Sequence, residues 1–169
     1  MAQRAEKPGL GGESTIAANA ELRNGLPWTG NNLVGRYCPI YGSIGGAGAL
    51  TGAFRFTGDD NCWRVKADHR SVTEKLVFEN ADENTLAGLK KIHVEFSERP
   101  TTEYFELSNP LGLTAETVAG IKVEAPIPDA LRTDFDGDST DFEFTAVLRN
   151  GKLCLKNGHP KNGTVLFLR

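Results

Sequence analysis

The run Asp134-Phe-Asp136-Gly-Asp138-Ser-Thr-Asp141 places carboxylates at alternate positions. Asp134, Asp136 and Asp138 stand at the first, third and fifth places of a calcium loop, where hard oxygen ligands wrap one cation. Ser139 occupies the place of that loop's sharp-turn glycine, and Thr145 that of its closing bidentate glutamate. A strand rather than a helix is expected to follow. The segment therefore reads as an acidic solvated loop, with the three aspartates a weak calcium candidate. His69, His93 and His159 lie far apart, none two or four residues from another His or a Cys, so a zinc site is not supported. His93 alternates with Ile92, Val94 and Phe96, which puts it with Lys91 and Glu95 on the opposite face of a strand, as a solvated or hydrogen-bonded histidine.

No G-x-S-x-G elbow or cysteine-centred signature places a nucleophile. No glycine-rich loop opens a helix that could cradle phosphate. Catalysis thus has no motif behind it, and a noncatalytic protein is expected. The aromatic residues are more informative. Phe54 and Phe56 share a face by period two, and Trp63, Phe96 and Phe105 fall in other strand-like segments. In a small barrel such residues either fill the interior or line a hydrophobic cup. Phe54, Phe56, Trp63, Phe96 and Phe105 are accordingly the candidate pocket walls for an apolar ligand.

The elements that must position these side chains are mostly short β segments. Ser14 or Thr15 as N-cap, an alanine-rich body and Gly25 predict one helix over 15–24. Beyond it, β-branched and aromatic runs separated by turn residues predict strands near 33–40, 49–57, 62–67, 74–79, 90–97, 103–108, 118–124, 141–149, 152–156 and 164–169. Asn150-Gly151 predicts a type I′ hairpin. That turn sets Leu148 opposite Leu153 and Ala146 opposite Leu155, with Phe144 on the same face. Six glycines between Gly42 and Gly58 read as a hairpin connection or as sharp strand bends. No internal repeat is visible. An antiparallel barrel follows as the expected fold, because closure removes the exposed edges.

Composition agrees with one domain. The chain has 169 residues, 39% of them hydrophobic, so it can bury a core without metal or disulfide staples. The organisation expected is a flexible extension over 1–13 and a single barrel domain over 14–169. Residues 1–13 lack the apolar stretch of a secretory signal and are too short and acidic for a transit peptide. Cys38, Cys62 and Cys154, odd in number and widely spaced, point to a reducing compartment or at most one labile bridge. A net charge of −3 gives no basic stripe for nucleic acid, and no apolar run is long enough to span a membrane as a helix.

The order of features resembles the plastid lipid-associated proteins, or fibrillins. Leu33, Gly35, Tyr37, Tyr41 and Ser43 match their opening strand, with Tyr37 at a usual tryptophan and Pro39 as an extra turn residue. LKKIHVEFSE is similar to a middle strand of that family. Leu153, Leu155, Gly163, Val165, Phe167 and Leu168 match its ending, with Lys156 at an arginine position. The resemblance implies a lipocalin-like β-barrel at the chloroplast stroma, thylakoid surface or plastoglobule. It also implies a bound lipid, quinone or carotenoid, or docking on a membrane-associated pigment–protein complex, and it carries no catalytic motif. Two alternatives stand beside it. One is a structural or assembly subunit, such as a coat-like jelly roll or a complex linker, with no ligand. The other is a barrel enzyme, such as a cyclase or chromophore lyase, with Glu95, Arg64 or Cys62 turned into the cavity.

Overall fold

The computed structural model describes residues 9–23, 37–79, 81–134 and 139–159. These form a parallel β-solenoid of about three turns and not an antiparallel barrel. The first turn carries β1 (Glu13–Ile16) and β2 (Glu21–Arg23). The second carries β3 (Cys38–Ile40), β4 (Ser43–Gly46) and β5 (Ala49–Thr51). The third carries β6 (Phe54–Phe56), β7 (Cys62–Ala67), β8 (Val72–Glu74) and β9 (Val77–Glu79). Successive turns stack in register. The long sheet runs β1-β4-β7, a second sheet runs β2-β5-β9, and a third pairs β3 with β6 and is prefaced by a bridge from Leu10 to Ile40. Only β8 is antiparallel there, folding back on β7.

Below the third turn the pattern changes. Helix α1 (Glu83–Ala87), capped by Asp82, packs on β6 in place of a strand. The long sheet continues through β10 (Lys91–Phe96), which pairs with β7 over six residues. The chain then adds β11 (Tyr104–Glu106), α2 (Ala115–Ala119) and β12 (Lys122–Glu124), the last of which extends the long sheet from β10. After a 3-10 turn over Asp129–Asp134 come β13 (Phe144–Arg149) and β14 (Lys152–Asn157). These two and β11 form an antiparallel sheet that closes this end.

Inward side chains stack in columns along the coil. Leu22, Leu50 and Phe78 lie one above another, 28 residues apart at each step. Ser14, Ile44, Trp63, Ile92 and Val123 do the same in the long sheet, at uneven steps. Coil packing therefore is an internal repeat, of the kind in which each turn buries its apolar face only against its neighbours. The uneven steps are why no period shows in the sequence.

Several expectations are corrected at this level. The antiparallel lipocalin-like barrel with an N-terminal helix is replaced by the solenoid, since alternation of period two is the same for a parallel rung as for a hairpin strand. The helix over 15–24 is also replaced. Ile16 and Leu22 sit in strands, Asn19 adopts φ 65°, and the Ala20 N–H donates to Ala17 in a corner. Pairing with β4 and β5 overrides the helical preference of alanine. The predicted strand 49–57 is two strands in different sheets, split at Gly52, whose φ of 104° turns the chain. Gly46, with φ 106°, lies so close to the turn above that a Cβ would land on the Ile16 carbonyl. The glycines of 42–58 are thus corners and close contacts between turns, not a hairpin loop. The Asn150-Gly151 turn does form as expected, with φ values of 51° and 75° and the predicted pairs Leu148–Leu153 and Ala146–Leu155. The expected strand 164–169, the first half of the expected strand 33–40 and the helix stop at Gly25 lie outside the described residues.

Candidate binding face

The alternation of β7 and β10 divides their side chains cleanly. Trp63, Val65 and Ala67, with Ile92, Val94 and Phe96, are buried. Arg64, Lys66, Lys91, His93 and Glu95 project from the other side, and parallel register lines them up with their neighbours. One outward column reads Glu13, Ser43, Cys62, Lys91, Lys122. The next reads Thr15, Gly45, Arg64, His93, Glu124, with Gly45 lying directly against Arg64 just past the last registered pair of β4 and β7.

Two ionic knots organise this face. Glu124 lies 3.1 Å from Lys122 Nζ, 3.5 Å from Lys91 Nζ and 3.8 Å from His93 Nδ1. The hydrogen bond from Lys122, followed by the charge of Lys91, holds its carboxyl below the ordinary 4.5 despite some burial. Because the folded pKa is the lower one, the stability that Glu124 adds is complete above about pH 4.5 and is lost as pH falls through the lowered value. Glu124→Gln should therefore flatten this part of the acid limb, which urea midpoints between about pH 6 and pH 3 would measure. The second knot is Arg64. Its guanidinium donates to Glu13 at 2.8 Å, to the Ser14 carbonyl at 2.6 Å and to Thr15 Oγ1 at 3.0 Å. The arm lies across Gly45, where a Cβ would come within 2.9 Å of Arg64 Cβ. Arg64 thereby ties the first turn to the third over a glycine. A shallow cleft of about 80 Å³ beside it is bordered by Gly46, Lys66, Glu74 and Glu95.

Cys62 belongs to the outward column but is covered by its neighbours, and burial pushes its thiol up, partly offset by the charge of Lys91. Burial likewise raises Cys154, and raises the half-buried Cys38. All three are free thiols. Thiolate is the reactive form, so none has the environment of an activated nucleophile. In the native protein Ellman's reagent should find at most Cys38 within minutes, with Cys62 and Cys154 reacting only on unfolding.

The five aromatic candidates do not come together in a cup. Phe54, Phe56, Trp63, Phe96 and Phe105 are each no more than 3% exposed. Phe56 and Trp63 meet Phe78 edge to face inside the solenoid. Phe96 and Phe105 pack with Phe142 and Phe144 where the antiparallel sheet closes the end. None of the five borders the Arg64 cleft, the groove of about 420 Å³ beside Val77 or the cleft of about 200 Å³ beside His159. Of the positions considered for a barrel enzyme, Arg64 and Glu95 lie on the outer face. Of the calcium candidates, Asp134 ends the 3-10 turn, and Asp136 and Asp138 lie outside the described residues. Among the described residues no three His, Cys, Asp or Glu side chains gather as a metal site. No helix among them is long and apolar enough to cross a membrane. Each histidine lies beside one glutamate: His69 by Glu98, His93 by Glu124 and His159 by Glu143.

Alternation alone placed Lys91, His93 and Glu95 on one face. The roles of Glu13, Thr15, Lys122 and Glu124 were not readable, because they depend on which strands become neighbours. No family model matches this chain, and neither a curated protein nor a solved structure matches it.

Proposed function

We propose that this protein is a noncatalytic binding and assembly module, which presents the outer face of its long sheet to an extended macromolecular partner. One observation carries this reading: Phe54, Phe56, Trp63, Phe96 and Phe105 fill the interior, while the ionisable side chains of β7 and β10 stand outside in registered columns. Strands in such a sheet recur about every 4.8 Å. Polar and charged side chains then repeat along the coil at the strand spacing of a neighbouring sheet. Rim charges of this kind orient a partner more than they tighten it.

Lysine footprinting tests the proposal. Acetylation of the protein in extract of its own host should be slowed at Lys91 and Lys122 relative to the purified protein, and unchanged at Lys156 on the closing sheet. Equal labelling of Lys91 and Lys122 in the two samples would overturn it. Native mass spectrometry of the same material should give the bare polypeptide mass. A co-purifying lipid, quinone or carotenoid would favour an interior ligand instead.

A further inference from the structure

The two ends of the solenoid differ. One is closed by the antiparallel sheet and its phenylalanine cluster. At the other, the inward residues of the first turn, Leu10, Ile16 and Leu22, are only half-buried, whereas Ile40 and Leu50 directly beneath Leu10 and Leu22 are at most 1% exposed. Among the described residues, strands β1 and β2 are also the outer strands of their sheets. An edge of this kind offers backbone groups and apolar side chains together.

We propose that this end pairs with the same end of a second copy of the chain, about a two-fold axis through Leu22. The sequence of β2, Glu21-Leu22-Arg23, carries charges that read as their own complement when reversed. In an antiparallel pair centred on Leu22, Glu21 of one copy lies opposite Arg23 of the other, and Arg23 opposite Glu21. The backbone has the matching phase. The Ala49 N–H donates to the Ala20 carbonyl at 3.0 Å, so Ala20 turns its carbonyl toward β5. Alternation along the strand turns the peptide groups of Leu22 the same way and points those of Glu21 and Arg23 to the other side, where no strand pairs with them among the described residues. These are the residues the two-fold sets opposite each other as hydrogen-bonded pairs, with Leu22 facing Leu22 in the closer, non-hydrogen-bonded position. A turn visits the third sheet, the long sheet and the second sheet in that order. The same axis therefore lays β1 of one copy against the Leu10 segment of the other and covers Ile16 and Leu10 together. Arg23 is 71% exposed and already meets its own Glu21 at 2.8 Å, so the interface completes a four-charge ring from side chains in place.

Sedimentation velocity on the full chain tests this. The wild type should be a dimer at tens of micromolar. Arg23→Glu should weaken dimerisation by about tenfold or more, because like charges then face each other twice. The double variant Glu21→Arg/Arg23→Glu, which restores both pairs in reversed sense, should recover the dimer. Amide exchange of the wild type supplies a readout that needs no variant: Glu21 and Arg23 should exchange slowly at high protein concentration and quickly on dilution. A wild-type monomer at 100 µM, a dimer indifferent to Arg23→Glu, or slow exchange at both concentrations would each overturn the proposal. The last result would mean that the end is covered within one chain.

Discussion

Replacing Trp63 with alanine is expected to lower the free energy of unfolding by about 3–5 kcal/mol, the range for truncating a buried aromatic side chain. Trp63 has no exposed surface. It sits at the middle of the long-sheet column, between Ile44 on one side and Ile92 on the other. The Phe78 ring from the second sheet meets it at 5.1 Å and 87°. A cavity there touches two turns and two sheets, and no single strand can shift into it without breaking register with both neighbours. Trp63→Phe is the informative control. Trp63 Nε1 is buried and has no hydrogen-bond partner among the described residues. Phenylalanine forfeits volume but no hydrogen bond, and should cost about 1–2 kcal/mol. Denaturant midpoints for the two variants, at unchanged slope, would check both values.

Asn61→Ala should cost about 3–4 kcal/mol although it removes only a small polar side chain. Asn61 is fully buried. Its Nδ2 donates to the carbonyls of Thr57, Gly58 and Gly88 at 3.1, 3.2 and 3.0 Å, and its Oδ1 accepts from the Lys90 N–H at 2.9 Å. One side chain thus satisfies the corner leading into β7 and the corner leading into β10, which lie on adjacent turns. Alanine would leave those backbone groups, in corners that are partly buried, without their partner. Aspartate would keep the acceptor but set a carboxylate against three carbonyls, so Asn61→Asp should be at least as damaging. Thermal melts of the two variants would show whether amide chemistry, rather than volume, holds the corner.

These two residues mark the boundary of what could be read from the sequence. Trp63 stood out because large aromatics at alternate positions must go inside something. Its burial was expected under one of two readings, and only its neighbours were out of reach. Asn61 carries no such signal, since one polar residue beside Asp59 and Asp60 looks like any exposed turn. The same division runs through the fold. β7 is legible in the sequence to the residue, and β10 and β14 to within one residue at either end, because alternation is a local signal. Pairing is not local. The single turn with explicit hairpin chemistry, Asn150-Gly151, produced the expected antiparallel pair, and most other connections are corners whose chemistry does not say which strand lies alongside. Of the candidate face, Lys91, His93 and Glu95 were readable together. Glu124, which ties Lys91 to Lys122, became part of it only once β12 was seen beside β10.

The stacking of parallel turns also gives the molecule mechanical anisotropy. Ladder hydrogen bonds run along the coil axis, and each strand lies across it. A pull along the axis loads these bonds a few at a time and peels turn from turn. A pull along a strand must shear every bond of that strand together, six registered pairs in the case of β10 on β7. The protein should therefore yield softly when stretched end to end and resist strongly when loaded across its face, which is the direction in which a partner on the long sheet would pull.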